Sequence, residues 1–115
     1  MRCENLDVWK MSCRVSVEIY RYFKECKDYG FKDQITRASL SIPSNIAEGM
    51  EKDYPKEKSR FFEISKGSTA ELITQIYIGI EIDYIEKAVG LEWIKKLNEI
   101  SKMITGLSKY HKNKE

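Results

Sequence analysis

The sequence has little histidine and little proline. Histidine occurs once among 115 residues, at position 111, and proline twice. A di-iron bundle needs Glu-x-x-His pairs on facing helices, and a nucleophilic site needs a histidine held against its serine or cysteine. His111 stands in a charged C-terminal segment that suits neither site, and no Gly-x-x-x-x-Gly-Lys-Ser/Thr loop is present to cradle phosphates. We predict that the protein is not an enzyme and binds no cofactor or metal.

Cysteine and long apolar runs are also scarce. Cys3, Cys13 and Cys26 form an odd set without Cys-x-x-Cys spacing, which favours reduced, structural thiols over a redox or metal role. No apolar run reaches the roughly 20 residues that span a bilayer, and residues 1–5 lack an apolar signal core. We expect a cytoplasmic protein without membrane contact.

What the chain does have is apolar residues at helical spacing. They predict four helices, at about residues 6–27, 32–48, 55–86 and 91–109. The breaks between them are short, which favours antiparallel neighbours. The predicted fold is therefore all-α, an antiparallel up-and-down four-helix bundle. It forms a single domain over residues 1–115, with a frayed basic tail from about residue 109.

The same spacing predicts the buried side of the first helix. The main stripe consists of Leu6, Trp9, Cys13, Val17, Tyr20 and Phe23, and it is widened by Val8, Val15, Ile19 and Tyr22. Glycines add three expectations. Gly49 is predicted to cap the second helix in a left-handed conformation, and Gly67 and Gly79 indicate close backbone packing of the third helix.

Residues 37–49 are the most identifying segment. Pro43 lies inside a helical apolar pattern, where it donates no backbone hydrogen bond to Ser39 and crowds the preceding turn. We predict that the second helix is kinked at Pro43, by a bend or local unwinding. The neighbouring polar side chains are expected to satisfy the exposed backbone groups: Ser39, Ser41, Ser44 and Asn45.

Three ordered motifs resemble the small four-helix-bundle proteins encoded in intervening sequences of bacterial 23S ribosomal RNA genes. They are Leu6-Asp7-Val8-Trp9-Lys10, then Ser41-Ile42-Pro43-Ser44-Asn45-Ile46-Ala47-Glu48-Gly49, and Gly67-Ser68 with Ala70-Glu71-Leu72. The resemblance implies a homo-oligomer, often a pentameric barrel. It also implies similarity to accessory proteins of diversity-generating retroelements, which bind reverse transcriptase and nucleic acid. It assigns structural motif roles to Trp9, Arg37, Pro43, Ser44, Asn45, Glu48, Gly49, Gly67, Ser68 and Glu71.

The chain departs from the family pattern between the second and third helices. A loop containing glycine and arginine is usual there, and residues 50–55 read Met-Glu-Lys-Asp-Tyr-Pro instead. Lys66 also replaces a common arginine. A flexible basic loop is therefore not expected, although Lys56, Lys58 and Arg60 follow directly.

Three charged motif residues have two interpretations each. Glu48 and Glu71 are either struts between the second and third helices or proton-transfer groups, and we favour struts because no substrate cleft is evident. Arg37 either pairs with an acid across the bundle or meets a phosphate, and we favour the internal pair.

Lysines are concentrated near the C-terminus. Between positions 95 and 114 the chain has six lysines and one acid, against a net charge of +2 overall. The lysines are Lys95, Lys96, Lys102, Lys109, Lys112 and Lys114. One hypothesis is a noncatalytic nucleic-acid-binding accessory protein that uses them, since a homo-oligomer repeats weak phosphate contacts. The other is a structural or adaptor oligomer that binds another protein, the lysines being a solvated face that complements the helix dipole.

Overall fold

The computed structural model describes residues 1–113, which form four α-helices and no strands. The helices are α1 (Asp7–Tyr22), α2 (Tyr29–Glu51), α3 (Pro55–Glu81) and α4 (Lys87–Lys112). Contacts join α1 to α2, α2 to α3, α3 to α4, and α4 back to α1. The predicted all-α up-and-down bundle is confirmed. In this arrangement α1 and α3 stand at diagonal corners, so their outer faces point in opposite directions.

Six helix limits differ from the predicted ones by three or more residues: both limits of α2 and of α4, and the ends of α1 and α3, which stop at Tyr22 and Glu81 where about 27 and 86 were predicted. The segment predicted as a break at residues 28–30 starts α2, because the Asp28 carboxylate accepts a hydrogen bond from the backbone N–H of Phe31 at 3.1 Å. At the other end α2 continues past Gly49 to Glu51. In addition, α4 begins at Lys87 and continues to Lys112, so the predicted tail is helical up to that residue.

Gly49 is not the predicted left-handed cap, since no glycine in residues 1–113 has a positive φ angle. It is buried inside α2, and a Cβ atom there would lie 2.7 Å from Cε1 of Phe62. Gly79 shows the predicted close packing, because a Cβ atom would lie 2.5 Å from Cδ1 of Ile85. Gly67 does not: it is exposed and has no atom within 4 Å of the corresponding position.

The buried face of α1 is rotated from the predicted main stripe. It consists of Val8, Ser12, Val15, Ser16 and Ile19, followed by Phe23 beyond the helix end. Val17 and Tyr20 of the predicted stripe are 46% and 44% exposed. The prediction was wrong because two core positions hold serine. The Ser12 Oγ donates to the Trp9 carbonyl within α1, and the hydroxyls of Ser16 and Ser39 lie 3.0 Å apart between α1 and α2.

The α2 helix does not unwind at Pro43, because it is continuous from Tyr29 to Glu51. Neighbouring side chains hydrogen-bond the backbone as expected. The Ser44 hydroxyl donates to the Leu40 carbonyl, and the Asn45 amide donates to the Ser41 carbonyl, both at 2.8 Å. Pro43 itself is buried. A bend without unwinding stays a prediction.

The C-terminal end of α2 is held by two cations from elsewhere in the chain. The Lys58 ammonium donates to the Met50 carbonyl at 3.0 Å, and the Arg2 guanidinium donates to the carbonyls of Met50 and Lys52, each at 3.1 Å. The Arg2 guanidinium also pairs with Asp53. Burial lowers the pKa of the Lys58 ammonium. These contacts satisfy carbonyls that a helix end leaves unpaired, and they anchor the connection to α3.

Candidate functional site

A polar cleft between α2 and α3 contains most of the charged and amide motif residues. We call it the motif cleft; it is lined by Gln34, Arg37, Ala38, Leu40, Ser41, Ser44, Asn45, Glu48 and Glu71. Small side chains allow α2 and α3 to approach here. The hydroxyls of Ser41 and Ser68 lie 2.8 Å apart, and the Ser65 hydroxyl donates to the Ile42 carbonyl at 2.8 Å. The helices are thus joined by hydroxyl groups beneath the cleft.

The carboxylates of the motif cleft do not form the predicted struts. Glu48 and Glu71 are exposed, and neither takes part in a hydrogen bond or ion pair within residues 1–113. The predicted pairing of Arg37 across the bundle is also wrong. Its Nε contacts the Asp33 carboxylate at 3.0 Å on the same helix, one turn away, and both side chains are exposed. The cleft therefore presents two carboxylates without partners and one guanidinium in a surface ion pair.

The residues around the motif cleft give little support for nucleophilic or metal-dependent catalysis. The one histidine lies at the far end of α4, where the His111 ring faces the Phe62 ring with centroids 5.9 Å apart. Within residues 1–113 no group of three or more histidine, cysteine, aspartate or glutamate side chains is arranged to hold a metal ion. The three cysteines are free thiols, and burial raises the pKa of Cys3 and Cys13.

The other motif residues have structural surroundings. Trp9 is half-buried and packs against the core from α1. Pro43 forms one wall of an apolar groove between α1 and α2, together with Cys13, Val17, Tyr20 and Leu40. Gly49 gives room to Phe62, as described above. Ser68 joins α3 to α2, whereas Gly67 faces outward.

The C-terminal lysines separate into three groups. Lys95, Lys102 and Lys109 are exposed and seven residues apart, so they form one row along α4. Lys96 lies elsewhere on the helix, with its Nζ 3.7 Å from the Glu18 carboxylate of α1. Lys112 lines a groove between the start of α3 and the end of α4. Lys114 lies outside the described residues.

That groove contains cations that the prediction did not combine with the α4 lysines. We call it the basic groove; its lining is Pro55, Lys56, Ser59, Arg60, Glu63 and Lys112. Lys56, Arg60 and Lys112 place three positive charges around one carboxylate. Sequence spacing had no means of joining Lys56 and Arg60 to Lys112, because the contact depends on α3 starting where α4 ends.

The sequence interpretation also missed the two cations that bind the C-terminal end of α2. Arg2 and Lys58 belong to no motif, and their distance in sequence from Met50 gives no periodic signal.

In residues 1–113 no helix is both long enough and apolar enough to cross a membrane.

Fold and surface together define a class: a small antiparallel four-helix bundle with hydroxyl-joined helices, a polar cleft and a basic groove. The family model described as 23S rRNA-intervening sequence protein matches residues 4–106, and the chain belongs to this family. A similar solved structure is a Bacteroides thetaiotaomicron protein described as having unknown function and as belonging to the S23 ribosomal protein family. It is 23% identical, with a TM-score of 0.82 over 89% of this chain and 98% of that one, which supports the fold. No curated protein matches the chain.

Proposed function

We propose that this protein is a noncatalytic, self-assembling nucleic-acid-binding protein of the cytoplasm. The observation that carries the proposal is the basic groove, with Lys56, Arg60 and Lys112 at its walls. The row formed by Lys95, Lys102 and Lys109 extends the positive surface along α4 towards this end of the bundle. Closely placed, exposed cations are what a phosphate backbone requires.

The expected partner is RNA or DNA bound through its phosphates. The groove offers no exposed aromatic ring among its lining residues on which a base would stack. Sequence-independent contact is therefore expected, with an affinity that falls as salt rises. For Z neutralised phosphates, the logarithm of the binding constant falls with a slope of about −0.9Z on duplex DNA and about −0.7Z on single strands.

Self-assembly is part of the proposal because one copy has few cations in the groove. The net charge of a single chain is +2, which gives weak attraction to a polyanion. A homo-oligomer repeats the groove in every copy, and binding of one groove raises the effective concentration of phosphates at the next. A pentamer is the assembly suggested by resemblance to the family.

The direct test measures binding to a structured RNA and to a DNA duplex across a salt series. We expect binding to weaken steeply with salt and the triple variant Lys56→Glu, Arg60→Glu, Lys112→Glu to lose it. A control, Lys27→Glu with Lys87→Glu, reverses two exposed charges at the opposite end of the bundle and is expected to retain binding; it is compared with the double variant Lys56→Glu, Arg60→Glu, which makes the same change in net charge. Absence of binding to either nucleic acid at low salt contradicts the proposal.

A second candidate function is that of an adaptor oligomer that binds another protein. The apolar groove between α1 and α2 favours it, since Val17, Tyr20 and Leu40 are large apolar side chains left 44–50% exposed beside the buried Pro43. An adaptor of this kind ignores nucleic acid, and its binding to protein resists salt. The same salt series therefore separates the two functions.

A further inference from the structure

The outer face of α1 is basic. Lys10, Arg14 and Arg21 are exposed at spacings of four and seven residues, opposite the buried side of the helix, and the exposed Lys24 follows in the turn after the helix ends at Tyr22. Val17 is exposed among them. None of these cations takes part in an ion pair within residues 1–113. We call this the α1 face.

The outer face of α3 has the opposite charge along its middle and C-terminal part. Glu71 and Glu81 are exposed there and also lack ion-pair partners among the described residues. Between and beside them lie the exposed Gly67, Thr74 and Ile78, which present small or apolar surface. We call this the α3 face.

The two faces do not meet within one chain. The helix contacts form the cycle α1, α2, α3, α4, so α1 and α3 stand at diagonal corners. Their unpaired charges therefore point away from each other. Opposite charges on opposite sides of one molecule complement each other between two copies.

The charges of the α1 face and the α3 face also lie at similar positions along the long axis of the bundle. Ser16 contacts Ser39 across α1 and α2, and Ser41 contacts Ser68 across α2 and α3, so Ser16 stands at about the height of Ala70. With a rise of about 1.5 Å per residue, Arg14 lies roughly one turn below Glu71 and Arg21 roughly one turn above it. Lys24, in the turn after α1, lies at the same end of the bundle as Glu81, the last residue of α3. Copies standing side by side bring these charges together without an axial shift.

We propose that the α1 face of one copy binds the α3 face of the next in a head-to-tail contact. This inference rests on the proposed self-assembly and names its interface. Arg14 and Arg21 flank Glu71, Lys24 approaches Glu81, and Val17 packs against the small residues of α3. The molecule measures 48 × 21 × 21 Å, so one long side is large enough for the roughly 800 Å² per partner that a stable interface buries. Such a contact closes into a ring when its rotation allows.

The contact also gives Glu71 a role that its surroundings in one chain do not supply. Its carboxylate has no partner within residues 1–113, and it lies at the rim of the motif cleft beside α2. In the head-to-tail contact it accepts hydrogen bonds from guanidinium groups of a second copy. A charge-assisted pair of this kind is stronger when neighbouring apolar surface excludes water.

Charge reversal on each face tests the proposal by light scattering of the full chain. Arg14→Glu with Arg21→Glu reverses the α1 face, and Glu71→Lys with Glu81→Lys reverses the α3 face. We expect each pair to lower the assembly mass to that of a monomer. All four changes in one chain restore complementarity at every contact. Mixing the two double variants restores it only between unlike copies, so the mixture is expected to exceed the mass of a monomer without closing a ring of five copies. The control Lys95→Glu with Lys102→Glu makes the same charge change as the α1 reversal on α4 and is expected to leave the mass unchanged.

The outcomes separate this inference from the proposed function. A wild-type chain that is monomeric at all concentrations contradicts self-assembly itself. A wild-type oligomer that keeps its mass in both double variants overturns the head-to-tail contact and leaves self-assembly standing. Loss of mass only in the α1 reversal indicates that the α1 face contacts a surface other than the α3 face, and it also overturns the proposal. Far-ultraviolet circular dichroism of each variant measures its helix content and shows whether a variant with a lower assembly mass is still folded.

Discussion

At the scale of single residues, α2 and α3 pack closely against each other near Gly49. The fully buried ring of Phe62 occupies the space that a side chain on Gly49 would need. Buried rings surrounded by packed neighbours have little freedom to move aside. Glycine is required here by the distance between helices, and its backbone conformation is ordinary helix.

Gly49→Ala is expected to lower the free energy of unfolding by about 1–3 kcal/mol, because the added Cβ overlaps the Phe62 ring. Gly106→Ala is the matched control: it also lies inside a helix, but nothing lies within 4 Å of its Cβ position. That change is expected to raise the free energy by about 0.5–1 kcal/mol through helix propensity. Urea unfolding of both variants checks the pair, and equal effects contradict the packing explanation.

The buried hydroxyls of Ser16 and Ser39 join α1 to α2, and removal of either one leaves the other buried without this hydrogen-bond partner. Ser39 donates to the Thr36 carbonyl at 2.8 Å, so the Ser16 hydroxyl is the donor to Ser39. We expect Ser39→Ala to cost about 1–3 kcal/mol, since Ser16 then has no partner. The double variant with Ser16→Ala is expected to cost less than the two single changes together. Thermal unfolding of the four chains measures this coupling, and strict additivity argues against the hydrogen bond.

At the scale of elements, the start of α2 depends on one carboxylate with two donors. Asp28 accepts from the Phe31 backbone N–H and from the Tyr84 hydroxyl, the latter at 2.7 Å. The Tyr84 bond, and then the backbone bond, hold the pKa of Asp28 below its usual value. A carboxylate with a lowered pKa contributes stability above its unfolded pKa of about 3.9, and this stability is lost as the pH falls through the folded value.

Asp28→Asn therefore separates capping from ionisation. Asparagine caps helices about as well as aspartate but does not titrate. Between pH 7 and pH 3 we expect the wild type to lose more thermal stability than the variant, with the difference developing below about pH 4. Thermal unfolding monitored by circular dichroism at several pH values measures it. Parallel pH profiles for the two chains count against the role of Asp28.

The existence, order and type of the helices followed from apolar spacing, but the orientation of α1 did not. A periodic pattern shows which residues are apolar, and α1 has apolar residues on two sides. The side facing the core includes Ser12 and Ser16, whose burial depends on partners such as Ser39 in α2. Contacts between distant segments, such as those of Lys58 and Arg2 with Met50, leave no trace in local spacing. The motif cleft was not predicted: its α2 residues recur about one helical turn apart, but Glu71 of α3 joins them only through the packing of the two helices.

At the scale of the whole molecule, the proposed interface and the proposed nucleic-acid surface lie on different sides. The α1 face and the α3 face belong to diagonal corners, whereas the row of Lys95, Lys102 and Lys109 runs along α4. The basic groove at the start of α3 adjoins the α3 face, and Glu71 and Glu81 lie farther along the helix. Charge reversal in the basic groove is therefore expected to remove nucleic-acid binding without loss of assembly, whereas loss of assembly also removes the repetition of the groove.

Assembly also predicts that thermal stability depends on protein concentration. Binding of copies stabilises the folded state by mass action, so the unfolding midpoint is expected to rise with concentration in the wild type. The same rise is expected in Lys95→Glu with Lys102→Glu, and it is expected to vanish in Arg14→Glu with Arg21→Glu. Differential scanning calorimetry over a hundredfold concentration range tests this. A concentration-independent midpoint in the wild type contradicts a folding-coupled assembly.

The contacts of Arg2 impose an order on folding during synthesis. Its side chain and backbone bind Met50, Glu51, Lys52 and Asp53, about fifty residues later in the chain. A ribosome adds residues at about 5–20 per second, so the first residues wait several seconds before these partners leave the exit tunnel. During that interval Arg2 lacks the partners that hold it in the folded protein. The N-terminal segment therefore joins the bundle only after α2 is complete.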